Sequence, residues 1–323
     1  MARAGIIGCG MIAGRYDDFA APGVYSHAKG YRRNEAFERI AVLDRVRAHA
    51  ETLAAKAEAE IFDVPELMLE RFRPDVVSVC TPDDHHFTAL NGLLAHPAAP
   101  AVIFCEKPIC RTRAEFSRIC ELEQAGRSRI IVNHSRRFDT AHQALRRLIA
   151  AGELGSFVQG HVHYYGGWRH LGVHIVDILQ YMLGEDFVPR KVTYCCPSKY
   201  ADDPTLHVRG TFGDAPLQVT GFPEEYFQIL DMSLLFERGQ IRVTDFGQSI
   251  EVLRKTVNSA GERVLVRDAV LSGPGMREPM AQSIDVIARY LASGDPGLLS
   301  PFGLAEAGRT MAALWRGSDL YAA

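Results

Sequence analysis

Short apolar runs alternate with helix-length segments through the first part of the chain. They lie in the predicted strands 3–7, 37–43, 75–80, 101–105 and 129–132, with a shorter one near Ile61. Strands that are apolar along their whole length are typical of parallel sheets covered on both faces, and the helices between them make right-handed crossovers. The sequence therefore predicts an α/β fold, with a doubly wound parallel sheet over residues 1–132.

The first of these strands ends at a glycine-rich turn. Gly8 and Gly10 follow the strand, and Met11 and Ile12 begin the next segment. Glycine lets the backbone turn tightly and approach a pyrophosphate, whose charge is stabilised by the amides at a helix start. The turn predicts a dinucleotide site, although Gly14 falls one place later than the third glycine of G-x-G-x-x-G.

Asp44 ends the second strand, where an acidic side chain accepts hydrogen bonds from the ribose hydroxyls of adenosine. It also suits the N-cap of a helix over residues 45–57, and both roles are compatible. Its distance from Gly10 exceeds the usual gap of about 20 residues, which predicts an insertion, placed at 15–26. Asp44 would repel the 2′-phosphate of NADP while Arg45 would attract it, so NAD is favoured and NADP stays open.

The strand 101–105 stops at Glu106, Lys107 and Pro108. Open α/β sheets bind their ligands in the crevice at the carboxyl ends of the strands, and Lys107 would stand there. The alternative is a solvated lysine in a surface loop, because most lysines are exposed. The glycine turn before Lys107 and a histidine-rich segment after it favour a role in chemistry.

A similar loop follows strand 75–80. It contains Thr81 and Pro82, and His86 stands where the next helix begins. Because this strand neighbours the others in a parallel sheet, its carboxyl end should open on the same crevice. We expect Thr81, Pro82 and His86 at the cofactor; the alternative for His86 is a residue of the helix start without a chemical role.

The second half of the chain changes character. A helix over residues 140–151 is followed by a succession of strands at 157–165, 190–194, 206–212, 217–222, 229–237, 240–244 and 249–253, and then by helices at 277–292 and 302–321. Alternation of polar and apolar residues indicates a sheet with one face covered. The sequence predicts a C-terminal α+β domain, residues 133–323, built on a large, mostly antiparallel open sheet. The uncovered face favours a homodimer or homotetramer formed through this sheet.

Charge and composition limit the partners. A net charge of −3 supplies no positive field for nucleic acid or an anionic membrane, and no run approaches the ~20 apolar residues of a membrane span. The chain enters its first strand without a signal-peptide pattern, so we expect a cytoplasmic protein. Seven cysteines, without a metal-type Cys-x-x-Cys pair, are expected to be reduced.

A histidine-rich segment lies between a predicted strand and helix. If it is helical, His170, His174 and Asp177 fall at i, i+4 and i+7 on one face. One interpretation is a metal site, but no glutamate follows His170 as in H-E-x-x-H, and we predict no metal. The other is acid–base chemistry by His174, because an imidazole pKa of about 6.5 suits proton exchange with an alcohol.

Together these motifs resemble the Gfo/Idh/MocA oxidoreductases, the relatives of glucose-fructose oxidoreductase and inositol dehydrogenase. They are Gly8-Cys9-Gly10, Cys80-Thr81-Pro82 with His86, Glu106-Lys107-Pro108, Arg137-Phe138-Asp139, Gly152-Glu153-Leu154-Gly155, and Gly172-Val173-His174-Ile175-Val176-Asp177 with Leu183-Gly184. The resemblance extends over nearly the whole chain. It implies a Rossmann domain carrying NAD or NADP, and hydride transfer at a hydroxyl or keto carbon of a sugar, amino sugar or cyclitol.

The resemblance also implies roles for individual residues. Lys107 would hydrogen-bond the reacting oxygen, His174 would accept the proton, and Glu106 would orient the cofactor or the lysine. Many members carry aspartate four residues before the histidine, where this chain has His170. A histidine does not supply the carboxylate charge that would stabilise His174. We therefore hypothesise that His170 contacts the substrate or relays a proton.

Residues around this segment are candidates for the substrate pocket. We expect Arg137 beside Lys107 and the two histidines. Aromatic faces stack on sugar C–H groups, so Tyr164, Tyr165, Trp168 and Arg169 are candidate wall residues. The alternative, expected for at least two of them, is an ordinary strand or core position.

Two other functions are compatible with the same motifs. One is a glycosidase that uses tightly held NAD for transient oxidation and elimination. The other is a dinucleotide-binding regulator without catalysis, which the presence of both Lys107 and His174 disfavours.

Overall fold

The computed structural model describes residues 1–323 as two compact units. The first comprises Met1–Phe138 and Glu278–Gly308, and the second Asp139–Arg277 and Arg309–Ala323. The expected division into 1–132 and 133–323 therefore differs from the units observed, because the chain returns to the first one. Within that unit the returning segment is held by stacking of Phe302 on Phe138, with ring centroids 3.9 Å apart, and by a hydrogen bond from Asn34 to Asp285.

The sheet of the first unit is parallel throughout. Its strands are β1 (Ala2–Ile7), β2 (Phe37–Leu43), β3 (Glu60–Ile61), β4 (Val76–Val79), β5 (Val102–Cys105) and β6 (Arg129–Val132). They lie in the order β3-β2-β1-β4-β5-β6, so the chain reverses direction across the sheet between β1 and β4. The central strands are buried along most of their length because their valines and isoleucines are covered on both faces. The predicted doubly wound sheet is confirmed.

Helices cover this sheet. They are α1 (His27–Arg33), α2 (Arg47–Ala57), α3 (Pro65–Leu67), α4 (His86–Ala95), α5 (Arg113–Ala125), α6 (Ser135–Phe138) and α9 (Pro279–Ser293). Thr112 begins α5 with a capping box, in which its hydroxyl accepts from the amide of Glu115 and the Glu115 carboxylate accepts from the amide of Thr112. Single π-helical turns occupy Met11–Arg15 and Met68–Phe72.

The second unit is built on a mixed sheet. Its strands are β7 (Phe157–Tyr164), β8 (Phe187–Cys196), β9 (Thr205–Phe212), β10 (Ala215–Gly221), β11 (Leu230–Phe236), β12 (Gly239–Thr244), β13 (Ser249–Val257), β14 (Arg263–Arg267) and β15 (Gly273–Pro274). The order is β14-β13-β12-β11-β7-β10-β9-β8, with β15 paired to β13. All pairs are antiparallel except β7 with β10, which agrees with the predicted large, mostly antiparallel sheet.

One face of this sheet is buried and the other is open. Along β7 the side chains of Val162 and Tyr164 are buried, whereas those of His161 and His163 are partly exposed. The remaining helices are α7 (Thr140–Ala150), α8 (Gly172–Leu183) and α10 (Leu304–Ala322). None of the helices in the chain combines the length and the apolar character needed to cross a bilayer.

Candidate functional site

The glycine turn after β1 is shaped by close backbone approach. Gly8 has φ of +90°, and a Cβ placed there would lie 2.7 Å from the amide nitrogen of Thr81. Only glycine fits, because both the left-handed conformation and the neighbouring backbone exclude a side chain. A Cβ on Gly10, in contrast, would meet nothing within 4 Å. The space over Gly10 is thus open to a ligand.

Alanine at each glycine should separate these two roles. Gly8→Ala is expected to destabilise the protein by roughly 2–4 kcal/mol, because a strained φ and a backbone clash combine. Gly10→Ala should leave the denaturant midpoint nearly unchanged and weaken dinucleotide binding, since the methyl group fills the open space. Chemical denaturation and dinucleotide titration measure both, and equal midpoints for the two variants would contradict this assignment.

Asp44 lies beside the glycine turn and is tied to it. Its Oδ2 accepts a hydrogen bond from the amide of Cys9 at 2.7 Å, and its Oδ1 accepts from the amide of Val46 at 2.8 Å. The N-cap of α2 is Val46, so the predicted capping role of Asp44 is wrong and is replaced by a turn that precedes the helix. An ionised carboxylate has about four acceptor positions, which leaves capacity for ribose hydroxyls.

The segment after Gly8 and Gly10 does not begin a long helix. Met11 and Ile12 belong to a single π-helical turn that ends at Arg15, and the next helix starts only at His27. The segment between them has no helix or strand, consistent with an insertion in this region. Met11 and Arg45 are exposed. Open backbone at Gly10 and an acidic acceptor at Asp44 fit a dinucleotide at this edge of the sheet.

His86 connects two loops at the carboxyl ends of β4 and β5. Its Nδ1 lies 2.7 Å from the carbonyl oxygen of Pro108 and its Nε2 lies 2.9 Å from that of Thr81. The residue is 1% exposed. The predicted contact of His86 with the cofactor is therefore corrected: its buried ring holds the Thr81–Pro82 loop against the loop after β5.

Lys107 stands directly after β5, in the predicted position. The residue is partly exposed, and its peptide bond to Pro108 is cis. Because β5 neighbours β4, and β4 neighbours β1, Lys107 shares the carboxyl edge of the sheet with the glycine turn. This edge is where a doubly wound sheet binds its ligand.

The Glu106 carboxylate lies in a buried polar network. Its Oε1 accepts hydrogen bonds from Nε2 of His27 at 2.9 Å and from Nδ2 of Asn133 at 2.6 Å. Burial alone would raise the pKa of Glu106. The pKa nevertheless lies below its usual range, because three groups stabilise the carboxylate: His27 by a hydrogen bond and its charge, Asn133 by a hydrogen bond, and Lys107 by its charge. Glu106 is therefore ionised at neutral pH and is not a proton donor.

The network continues beyond His27. The His27 Nδ1 lies 2.9 Å from the hydroxyl oxygen of Ser78, which lies 2.8 Å from that of Tyr31. His27, Ser78 and Tyr31 are fully buried. The sequence did not indicate these residues because a lone histidine at the start of a helix has no diagnostic spacing, and only the fold brings His27 to Glu106.

In the second unit, His170 and His174 do not share a helix face. His170 lies in the turn between β7 and α8, and α8 starts at Gly172. The predicted i, i+4 pair is therefore absent, since the chain is not helical at His170. His174 is in the first turn of α8 and partly exposed, whereas Asp177 is buried and accepts a hydrogen bond from the hydroxyl of Thr310. Asp177 has a structural role.

His170 is held by residues that precede β9. Its Nδ1 lies 2.8 Å from Oδ2 of Asp203, and its ring stacks on Tyr200 with centroids 3.4 Å apart and planes 4° from parallel. Asp203 also accepts hydrogen bonds from the backbone amides of Arg169 and His170. The sequence has no carboxylate four residues before His174. In the structure a carboxylate is present, that of Asp203, but it contacts His170 instead.

Three of the expected substrate residues have structural roles instead. Trp168 is 1% exposed and donates from its indole nitrogen to the carbonyl of Leu314. Tyr164 is buried, with its hydroxyl bonded to the backbone of Leu206. Arg137 is fully buried and pairs with Glu306 at 2.9 Å.

Arg169 and Tyr165 stay partly exposed. The Arg169 guanidinium pairs with Asp202 at 2.9 Å, which fixes it beside the His170 turn. No group of three or more metal-ligating side chains occurs in the chain. Of the predicted substrate residues outside Lys107 and the histidines, Tyr165 and Arg169 remain candidates, because neither is buried.

Comparison with known proteins identifies similar sequences and folds. Residues 2–134 match a family model described as an oxidoreductase family with an NAD-binding Rossmann fold. The chain is 28% identical over 202 residues to D-glucoside 3-dehydrogenase of Escherichia coli, covering 56% of this chain and 54% of that protein. It is also 28% identical over 207 residues to inositol 2-dehydrogenase of Paracoccus denitrificans, covering 59% and 57%. The chain thus spans little more than half the length of these two relatives.

A solved structure shares the fold over nearly all of the chain. The UDP-N-acetylglucosamine 3-dehydrogenase of Acidithiobacillus ferrooxidans superposes with a TM-score of 0.75 at 17% identity, covering 99% of this chain and 97% of that one. At this identity the likeness concerns the fold.

Proposed function

We propose that this chain is a Gfo/Idh/MocA oxidoreductase with a nicotinamide dinucleotide as cofactor, which the match of residues 2–134 to an NAD-binding Rossmann family supports, and that it is a dehydrogenase or reductase of a sugar, amino sugar or cyclitol. It transfers a hydride between the nicotinamide and a carbon that bears a hydroxyl or keto group. The observation that carries this proposal is Lys107 at the carboxyl edge of the parallel sheet, next to the ionised Glu106. The names of the two relatives support CH–OH groups as substrates.

The chain's own residues supply binding, orientation and charge. Gly8, Gly10, Met11, Ile12 and Asp44 hold the dinucleotide at the ends of β1 and β2. When bound, the cofactor supplies the site that accepts or donates hydride. We favour NAD, because the Asp44 carboxylate would repel the 2′-phosphate of NADP. Arg45 would attract that phosphate, so NADP stays an alternative.

Lys107 acts on the substrate oxygen. Its ammonium group donates a hydrogen bond to the hydroxyl or keto oxygen and stabilises the negative charge that develops there. The negative charge of Glu106, the residue before Lys107, favours the charged ammonium form of the lysine. The proton of the hydroxyl passes to an imidazole of the second unit, for which His170 and His174 are the candidates, with Arg169 binding substrate hydroxyls.

The open face of the second sheet suggests self-association. Partly exposed polar side chains from β7, including His161 and His163, face away from the core. We expect a homodimer or homotetramer formed through this face, in the cytoplasm as expected from the sequence. Light scattering of the purified protein would measure its mass, and a monomer at all concentrations would exclude this assembly.

The first test is nicotinamide absorbance. Purified protein is mixed with NAD or NADP and with sugars, amino sugars and cyclitols, and with their keto forms in the reverse direction. We expect absorbance to change with at least one compound and to show which dinucleotide is used. Glycoside cleavage with bound cofactor and no net absorbance change would indicate oxidation–elimination. Binding of the dinucleotide without any turnover would indicate a regulator.

A further inference from the structure

Large apolar side chains are exposed along the segment that joins β1 to α1. Met11, Tyr16 and Tyr25 are 59%, 46% and 53% exposed. Aromatic side chains stabilise a protein by being buried, so two aromatic rings left in solvent within one short segment indicate a binding surface. Because this segment leaves the carboxyl end of β1, it lies at the edge of the parallel sheet that holds the glycine turn and Lys107.

A buried carboxylate fixes both ends of the segment 15–26. The Oδ2 of Asp17 accepts hydrogen bonds from the amide of Tyr25 at 3.0 Å and from the hydroxyl of Ser26 at 2.9 Å. Its Oδ1 lies 3.2 Å from the ammonium of Lys29, and the side chains of both residues are buried. Tyr16 directly precedes Asp17, so the two exposed tyrosines are attached to the same anchor.

The backbone of the segment is also held by cations of the first unit. The ammonium of Lys56 donates to the carbonyls of Arg15 at 2.9 Å and Asp17 at 3.2 Å, and Arg33 donates to the carbonyl of Phe19 at 2.9 Å. These bonds satisfy carbonyls that no helix or strand would otherwise pair. A segment fixed in this way presents its side chains in one arrangement, which lowers the entropy cost of binding.

Tyr16 is held close to Glu106. Its hydroxyl donates a hydrogen bond to the carbonyl of Tyr25. Tyr25 is two residues before His27, whose Nε2 lies 2.9 Å from the Glu106 carboxylate. The contacts therefore lead from the Tyr16 phenol to the residue that precedes Lys107.

The Tyr16 phenol is not an acid–base group. Burial raises its pKa to about 12, and the negative charges of Asp17 and Glu106 raise it further in the same direction. The effect of Glu106 agrees with the short path between the two side chains. At neutral pH the phenol keeps its proton, which serves the hydrogen bond to Tyr25. What the side chain offers to a ligand is its exposed ring.

We infer that the ring of Tyr16 contacts the nicotinamide of the bound dinucleotide and that the segment 15–26 holds it there. This inference rests on the proposed function. Gly10 receives the pyrophosphate and Lys107 the reacting oxygen, so the residues that contact the nicotinamide lie along the edge between them. Tyr16 belongs to the segment that follows Gly10 and stands near Glu106. Oxidised nicotinamide is cationic, and the face of a phenol ring attracts cations.

A comparison of two ligands tests this contact without turnover. ADP-ribose has the adenosine, pyrophosphate and second ribose of NAD⁺ but no nicotinamide. Calorimetric titration of full-length Tyr16→Ala should show NAD⁺ affinity reduced by about 3–10-fold, as for loss of an aromatic contact, and ADP-ribose affinity little changed. If the protein prefers NADP⁺, the matching pair is NADP⁺ and 2′-phospho-ADP-ribose.

Two variants control for the shape of the segment. Tyr16→Phe loses the hydrogen bond to the Tyr25 carbonyl but keeps the ring, and its NAD⁺ affinity should stay near that of the wild type. Tyr25→Ala removes an exposed tyrosine of the same segment while its backbone carbonyl still accepts from Tyr16. Both affinities of Tyr25→Ala should be little changed. The melting temperature of each variant excludes misfolding as the cause.

NMR gives a direct readout of the contact. In protein labelled with ¹³C in the tyrosine rings, we expect nuclear Overhauser effects between the Tyr16 ring protons and the nicotinamide protons of NAD⁺. Tyr16→Phe assigns the Tyr16 signals by their loss. Saturated NAD⁺ complex without these effects would overturn the inference.

The outcomes separate the inference from the proposed function. Unchanged NAD⁺ affinity in Tyr16→Ala, an equal loss for NAD⁺ and ADP-ribose, or the same loss in Tyr25→Ala would overturn the inference and leave the oxidoreductase intact. Wild-type protein that binds neither the dinucleotides nor their ADP-ribose counterparts would instead overturn the proposed function, and the inference with it.

Discussion

Replacing Lys107 by methionine is expected to lower kcat/KM for the sugar or cyclitol by about 10²–10⁴-fold, the range lost when a charged hydrogen-bond donor to the reacting oxygen is removed. The methionine side chain is nearly as long as that of lysine, but it has no hydrogen-bond donor and no charge. Lys107 is partly exposed, so the substitution should not disturb the core. The rate is measured by nicotinamide absorbance at saturating dinucleotide.

A matched lysine makes this result specific. Lys191 is exposed on β8 in the other unit, and Lys191→Met should retain turnover within twofold. Dinucleotide affinity should change little in Lys107→Met, because its proposed partner is the substrate oxygen. If Lys107→Met kept a third or more of the wild-type kcat/KM, the reacting oxygen would have another donor and the mechanism would be wrong.

The elements that sequence predicts well are those whose signal is local. The boundaries of β2 and β6 agree with the predicted strands, because each contains a short apolar run, residues 40–43 and 130–132, that is buried in the sheet. The capping box at the start of α5 is a local signal of the same kind, because Thr112 and Glu115 lie within one helical turn. Lys107 follows from the same logic, since it stands where an apolar strand ends.

The elements that sequence missed depend on contacts between distant residues. β14 is an edge strand whose three central apolar residues lie between arginines and are mostly exposed, so its sequence lacks the polar–apolar alternation of a half-buried strand. The return of residues 278–308 to the first unit depends on side chains such as Phe302 meeting Phe138. Asp203 reads as a solvated loop acid until the fold places it on His170.

Replacing His27 by leucine should cost about 3 kcal/mol or more of unfolding free energy, because a buried, ionised acceptor that loses a hydrogen-bond donor keeps an uncompensated desolvation penalty. Leucine leaves the Glu106 carboxylate without its buried partner, although Asn133 still donates to it. We expect the melting temperature to fall by roughly 10 °C. His85→Leu, at an exposed histidine of the same unit, is the control and should change stability by less than about 0.5 kcal/mol.

The pH dependence of that loss has a definite sign. In the wild type the pKa of Glu106 is lowered by folding. Its contribution to stability is therefore complete above the pKa of the unfolded state, about 4.3, and is lost as the pH falls through the pKa of the folded state. In His27→Leu, burial is no longer opposed by His27, and the folded pKa of Glu106 should rise above the unfolded one. Protonation of Glu106 then removes the buried charge from the variant. The stability lost by His27→Leu should therefore be smaller at pH 5 than at pH 8.

Two further variants test whether the contact between His27 and the Glu106 carboxylate is responsible. His27→Gln keeps a donor toward Glu106 and should lose less stability than His27→Leu. The double variant His27→Leu with Glu106→Gln removes the buried charge and should be less destabilised than the sum of the single changes, because residues in contact are coupled. Additive losses, or a deficit for His27→Leu that does not vary between pH 8 and pH 5, would mean that His27 acts by packing against Phe104 rather than by holding an ionised Glu106 beside Lys107.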